Sequence, residues 1–310
     1  MRGKHGFANS TMDSSMVFLS LKIRLEVKQM IKTCLLGLGR TGKVVAEELL
    51  SSREFDLVSV IAGPKSKKIN KSLRELTNLD SELLVSSSTS LAEEIRKNKF
   101  AIAIDFSSPE ACLKNAQVLA ENGIHMVVGT TGFNKIQVYE LKNLVQHYKI
   151  GLVFAPNISV GINALLFIAK SLAKLVPDYD VEIMESHHRN KVDSPSGTAI
   201  KIATEIHNAK GKSEKEKKNV FGRKGATQRE NSEIGIHAVR AGGITGVHQV
   251  LFAGEHDEIE IIHRSYSRKV FAAGALTAAS FILNRKGFFS MEEVLSYEDK
   301  DQEGPIENLA

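Results

Sequence analysis

The six residues Gly37-Leu38-Gly39-Arg40-Thr41-Gly42 constrain the fold of this chain more than any other stretch. They follow a short apolar run, Thr33-Cys34-Leu35-Leu36, that has the texture of a buried strand. They precede Lys43 to Leu50, whose Val44, Val45, Leu49 and Leu50 mark one apolar helix side. A strand, a glycine turn and a helix in this order open a dinucleotide-binding unit. The turn lets backbone approach a pyrophosphate, which then sits on the helix N-terminus. The structural alternative is a tight turn with no ligand. The flanking strand and helix are the context that favours the nucleotide. Arg40 lies within the turn and can face a phosphate.

The following residues repeat the pattern. Asp56 to Ala62, Ala101 to Phe106, His125 to Gly129 and Ile150 to Ala155 are predicted as strands, and Pro109 to Asn122 as a helix. The alternation fits an α/β fold with a Rossmann-type, doubly wound parallel sheet. Ligands of such sheets bind outside the carboxyl ends of the strands. That places Gly129-Thr130-Thr131 and Ala155-Pro156-Asn157-Ile158 beside the nicotinamide end of a bound nucleotide. The second strand runs out in Ala62-Gly63-Pro64-Lys65-Ser66-Lys67-Lys68. No carboxylate is there to take a ribose 2′-hydroxyl, whereas lysines suit a 2′-phosphate. The expectation is NADPH, or use of both NADPH and NADH. The alternative is a basic surface loop.

After Asn157 the texture changes. Asn163 to Leu175 is predicted as a helix. Strands are predicted at Val181 to Glu185, Ile234 to Val239, Gly246 to Ala253 and Glu258 to Arg264, and antiparallel pairing would suit them. Phe271 to Leu283 and Met291 to Leu295 return to helix. This describes a second, α+β unit. The expected division is 30–156 plus 269–297 for the nucleotide-binding domain and 157–268 for a substrate-binding domain. Residues 298–310 form a polar, acidic tail. Residues 1–29 are expected to be a mobile extension or an artefact of the gene start, with Met30 the natural beginning.

The chemistry concentrates in Glu185-Ser186-His187-His188-Arg189-Asn190-Lys191-Val192-Asp193-Ser194-Pro195-Ser196-Gly197-Thr198-Ala199. Two imidazoles can exchange protons near neutral pH. Arg189 and Lys191 can neutralise an anion. Ser196-Gly197-Thr198, with a helix predicted from residue 199, makes a carboxylate-binding helix start. His187 and His188 continue a strand and so point to opposite faces. They do not serve one metal, and no metal site is expected. One histidine faces the nucleotide cleft; the residues alone do not say which. The bland reading is two surface histidines and an ordinary capped helix.

Composition excludes several classes. The formal charge of +5 is mild, and Lys210 to Lys218 reads as a solvated loop, so no nucleic-acid partner is expected. No apolar run is long enough for a membrane span. Cys34 and Cys112 lack metal or redox spacing. A reduced, cytoplasmic setting follows.

Together these pieces resemble the dihydrodipicolinate reductase family. The fifteen-residue segment is close to its pattern E-x-H-H-x-x-K-x-D-x-P-S-G-T-A. Gly129-Thr130-Thr131-Gly132-Phe133, Asn157-Ile158-Ser159-Val160-Gly161-Ile162-Asn163 and Val239-Arg240-Ala241-Gly242 support the resemblance, which covers about residues 31–296. It implies hydride transfer from a nicotinamide cofactor to an unsaturated cyclic dicarboxylate. It implies His187 as proton donor and acceptor, Lys191 as proton donor, and His188, Ser196, Gly197 and Thr198 as substrate contacts. It implies a homotetramer built through the second domain, and last helices that return to the first. The chain departs from the family at Ile158, where many members carry an aromatic, at Pro156, and in the missing ribose acid. Two other readings stay open: a non-catalytic NAD(P)H-binding regulatory protein, and a dehydrogenase of another small carboxylate.

Overall fold

The structure is a computed structural model and describes residues 29–213 and 215–296. The expectations for the N-terminal extension up to residue 28 and for the tail from 298 onward fall outside the described residues. The first half runs β1 (Ile31–Leu36), α1 (Arg40–Leu50), β2 (Phe55–Ala62), α2 (Leu73–Leu76), β3 (Val85–Ser87), α3 (Leu91–Asn98), β4 (Ile102–Asp105), α4 (Pro109–Glu121), β5 (His125–Val128), α5 (Lys135–Tyr148) and β6 (Gly151–Phe154). The second half runs α6 (Val160–Leu175), β7 (Asp180–His187), α7 (Gly197–Ala209), β8 (Lys218–Phe221), β9 (Glu233–Arg240), β10 (Gly246–Ala253), β11 (Glu258–Ser265), α8 (Lys269–Ile282), β12 (Gly287–Phe289) and α9 (Met291–Leu295).

Seven strands form one parallel sheet in the order β12-β6-β5-β4-β1-β2-β3. The order reverses between β1 and β4, which is the switch point of a doubly wound sheet. Strands buried on both faces need apolar residues at every position. In β1 only Lys32 is exposed. One face packs on α1, α8 and α9, through Val45, Leu49, Ala275 and Met291. The other packs on α3, α4 and α5, through Leu91, Ala116 and Leu141. Cys34 and Cys112 are buried in this second layer, and burial pushes both thiols up, which favours the neutral thiol. The helices start on clear signals. Ser108 caps α4 with Pro109 at its first position, and Asn134 and Gln137 form a capping box at α5.

The second sheet has the order β11-β10-β7-β9-β8. It is mixed, which corrects the antiparallel expectation. β10 pairs antiparallel with β11 and β7, but β9 runs parallel to both β7 and β8. The reason is the connection. Helix α7 carries the chain back after β7, and the segment 222–232 carries it back after β8, so both following strands enter in the same direction as β7. Helices α6 and α7 cover one face through Ile162, Leu165, Ala199, Ile202 and Ile206. Each such fully buried branched side chain contributes about 1.5–3 kcal/mol. The last segment returns to the first sheet: β12 pairs with β6, and α8 packs on α1. Among the described residues, no helix is long and apolar enough to cross a membrane.

Candidate active site

The sheet's alternation builds the site. Val181, Ile183, Glu185 and His187 share one face of β7, and the first three are buried. On β10 that face carries Gly246, His248, Val250 and Phe252, with His248 opposite Glu185. On β9 it carries Ile234, Ile236 and, opposite His187, Arg240. The core face thus continues past its apolar residues into a polar cluster, roofed by the N-terminus of α7.

Glu185 is only 1% exposed and is the hub of the cluster. Arg240 grips it with both guanidinium nitrogens, Nη2 to Oε1 at 2.7 Å and Nη1 to Oε2 at 2.8 Å. The Ser196 amide donates to Oε1 at 3.0 Å, and His187 Nδ1 lies 2.5 Å from Oε2. Burial pushes the Glu185 carboxyl up. The Arg240 fork, His187 and the Ser196 amide outweigh it and hold the group below its ordinary range. Burial lowers His187, with Glu185 opposing. The His248 ring meets that of His187 edge-on at 5.2 Å, and burial brings it down to about 4. It is therefore neutral at pH 7. Its Nε2 lies 3.3 Å from Ser196 Oγ.

Helix α7 begins at Gly197, two residues before its predicted start. Ser196 is its N-cap and accepts from the Ala199 amide at 3.2 Å. The Ser196 amide and the Ala199 amide are thus taken. The amides of Gly197 and Thr198 remain for a ligand, at the positive end of a thirteen-residue helix. Thr198 Oγ1 accepts from Asn157 Nδ2 at 3.0 Å. That bond ties the loop after β6 to α7. Lys191 pairs with Asp193 at 2.6 Å, just beyond the cluster. His188 is not brought to His187. It lines a separate cleft of about 390 Å³ with Val44 and Glu47 of α1, Gly243, and Arg268 to Lys269 before and in α8. Arg189 is exposed.

The glycine turn lies at the switch point. Gly37 has φ +90°, a conformation that favours glycine, and a side chain there would meet Phe106 O at 2.5 Å. A side chain at Gly42 would lie 1.9 Å from Gly37 O. Gly39, the N-cap of α1, faces open space, with nothing within 4 Å of its missing Cβ. Helix α1 starts at Arg40, earlier than the apolar pattern indicated, so the amides of Arg40 and Thr41 sit in its first turn. This geometry fits a diphosphate held by main-chain N–H groups. Leu38 is buried in the core, and Lys68 Nζ donates to its carbonyl.

Several expected cofactor contacts turn their side chains away. Thr130 is buried and donates to the Asp105 carboxylate at 2.6 Å. Ala155 and Ile158 are buried in the core of the first sheet. These three have only main chain to offer a ligand. Gly129 packs on the Phe106 ring. Thr131 and Pro156 are exposed. Glu185, Arg240 and His248 were not among the expected site residues. Their signal was the alternation: a carboxylate and an imidazole at inward positions of β7 and β10 demand partners.

A nucleotide-type glycine turn and an imidazole–carboxylate cluster beside a free helix N-terminus define a pyridine-nucleotide-dependent reductase. Residues 31–158 match the dihydrodipicolinate reductase N-terminal domain, and residues 161–295 its C-terminal domain. The chain belongs to the dihydrodipicolinate reductase family. It is 38% identical over 271 residues to the 4-hydroxy-tetrahydrodipicolinate reductase of Methanopyrus kandleri, covering 86% of this chain and 97% of that one. It is 38% identical over 260 residues to that of Nitrosomonas eutropha, covering 83% and 94%. Among solved structures, dipicolinate-bound dihydrodipicolinate reductase from Paenisporosarcina sp. TG-14 superposes with a TM-score of 0.71 at 27% identity, covering 86% of this chain and all of that one. An amine dehydrogenase from Mycobacterium smegmatis, at 12% identity and a TM-score of 0.61, shares the fold.

Proposed function

We propose that this chain reduces 4-hydroxy-tetrahydrodipicolinate with NADPH or NADH, giving tetrahydrodipicolinate and water, in lysine and diaminopimelate synthesis. Beyond family membership, one observation carries the reading. The Asn157–Thr198 hydrogen bond sets the loop after β6 against the start of α7. In this reading, the nicotinamide side of one unit and the anion-binding helix end of the other meet at that bond.

A bound reduced nucleotide supplies the hydride. Gly37, Leu38, Gly39, Arg40, Thr41 and Gly42 hold its diphosphate through main-chain N–H groups. Gly129, Thr130, Thr131, Ala155, Pro156, Asn157 and Ile158 wall the nicotinamide end. The Lys68 contact with the glycine turn supports acceptance of NADPH. The reaction consumes one hydride and one proton and releases water. His187 exchanges the proton, and Lys191 is the second donor. Ser196, Gly197 and Thr198 hold the substrate carboxylates, whereas His188 lines its own cleft against α1 and α8. The Gly197 and Thr198 amides, with Lys191, stabilise negative charge that grows during the reaction.

In this reading, residues 30–156 with 269–297 form the nucleotide domain, and 157–268 the substrate domain. The chain works in the cytoplasm as a homotetramer. The outer face of the five-stranded sheet, where Val239 and Ile262 are exposed, is the surface such an assembly covers. Light scattering on the purified protein measures that mass. The activity test is oxidation of NADPH and of NADH with substrate made in situ from pyruvate and aspartate semialdehyde by a coupled synthase. Substrate-dependent oxidation is expected, and the ratio of rates gives the cofactor preference. Nucleotide binding without any oxidation would refute the proposal.

A further inference from the structure

A carboxylate on the core face of a strand is costly unless every lone pair finds a donor. Glu185 finds four: two Arg240 nitrogens, the Ser196 amide and His187 Nδ1. The two-pronged guanidinium contact fixes the plane of the carboxylate as well as its position. An ionised carboxylate accepts only. His187 Nδ1 must therefore carry hydrogen, and the lone pair of the neutral ring falls on Nε2. That nitrogen makes no hydrogen bond among the described residues. It lies beside Gly246, where a Cβ would come within 3.3 Å of it. The same carboxylate, through its other oxygen, holds the residue that caps α7.

We propose that Glu185, clamped by Arg240, is the positioning residue of this site: it fixes the His187 tautomer that leaves Nε2 free for proton transfer, and it sets the α7 N-terminus relative to that nitrogen. The inference rests on the reading of His187 as the proton-exchanging group. Neighbouring charges agree with it. The groups facing His187 are Glu185 on its own strand, Arg240 from β9, His248 from β10, and Lys191 from the following loop. Lys191 and Arg240 disfavour a protonated ring, and His248 is neutral. Glu185 is the one group of these that stabilises an imidazolium.

The test uses the full chain. Ring-nitrogen NMR of the wild-type protein reads the tautomer of His187 without turnover, and hydrogen on Nδ1 is expected. E185Q keeps the shape but offers an amide in place of the anion. Its kcat is expected to fall roughly a hundredfold or more, the loss typical of disabling a general acid–base. KM for the nucleotide stays near wild type, because the Glu185 hydrogen bonds to Arg240, Ser196 and His187 do not reach the glycine turn. The acid limb of the pH–rate profile moves to lower pH, because the imidazolium has lost its counter-charge. E185D is expected to recover part of kcat and to restore the profile. Hydrogen on Nε2 in the wild-type protein would overturn the proposal, as would a wild-type kcat and pH profile in E185Q. H187A separates the two readings: normal turnover in that variant removes the role of His187 itself. If E185Q fails to fold, the wild-type tautomer and the E185D profile still decide.

Discussion

Replacing Gly39 with alanine, and separately Gly42, tests where the diphosphate lies, because the two methyl groups meet opposite surroundings. At Gly39 nothing lies within 4 Å of the new Cβ, and the backbone, at φ −81° and ψ −163°, is open to any residue. Loss of glycine at a helix N-cap costs up to about 1 kcal/mol. The stiffer unfolded chain returns about 0.4–1 kcal/mol. The fold should therefore notice little, with a Tm change of no more than about 4 °C. At Gly42 the methyl group would sit 1.9 Å from Gly37 O. The turn must open by about 1.4 Å to reach a close C···O contact of roughly 3.3 Å. Gly37 has no room to retreat, because its own far side abuts Phe106 O. Overpacking of this kind costs about 1–3 kcal/mol, or roughly 2–12 °C in Tm. Nucleotide binding should respond differently. In the proposed placement, the Gly39 methyl occupies the open space through which the diphosphate approaches. Losing two hydrogen bonds to a charged group, at about 1.5–3 kcal/mol each, weakens binding roughly a hundredfold or more. The expected result for G39A is thus wild-type melting with poor NADPH binding in a fluorescence titration. G39A with wild-type affinity would refute the placement of the diphosphate. So would a loss of stability in G39A equal to that in G42A, because the open side would then be occupied by protein.

Other expectations follow from packing and charge. G274A brings a methyl group 1.8 Å from Ile158 O, so α8 must move off the loop after β6; calorimetry should show a loss of about 1–3 kcal/mol. N157A removes the hydrogen bond to Thr198; it should cost about 1 kcal/mol of stability and raise the substrate KM more than the nucleotide KM in steady-state assays. His248 has its pKa lowered from 6.5 to about 4. The unfolded chain therefore binds the proton first, and stability falls as pH drops from 6.5 through 4, by on the order of 3 kcal/mol from this group. Denaturant titrations across that range should show a flatter profile for H248Q than for the wild type.

The buried strands were legible because they are apolar at nearly every position, and the glycine turn because its spacing has a mechanical reason. The short strands β3, β8 and β12 were not. Val85-Ser86-Ser87 and Lys218-Asn219-Val220-Phe221 carry little strand signal of their own and exist through pairing with β2 and β9. Lys218 belonged to a segment that reads as a charged loop, yet it opens β8. Helices α3 and α5 also went unpredicted; their charged, exposed faces dilute the apolar period. Within the site, His187, Ser196 and Lys191 stand in one local segment and announce themselves. Arg240 reaches Glu185 across 55 residues of chain, and His248 reaches Ser196 across 52. Nothing local predicts that meeting. The alternation of β7 does say that Glu185 points inward with Val181 and Ile183, and that an inward carboxylate needs a cation.

Strand β12 supplies the outer edge of the first sheet from a point late in the chain, pairing with β6 across more than a hundred intervening residues. During synthesis, β6 emerges long before its neighbour. At ~5–20 residues per second the ribosome needs roughly seven to twenty-six seconds to bridge that gap. For that interval the nascent chain presents an unpaired, apolar strand edge, Gly151-Leu152-Val153-Phe154. Such an edge invites pairing with other chains. Pulse-labelled chains released before Gly287 should aggregate or bind chaperones, and chains released just past Phe289 should not.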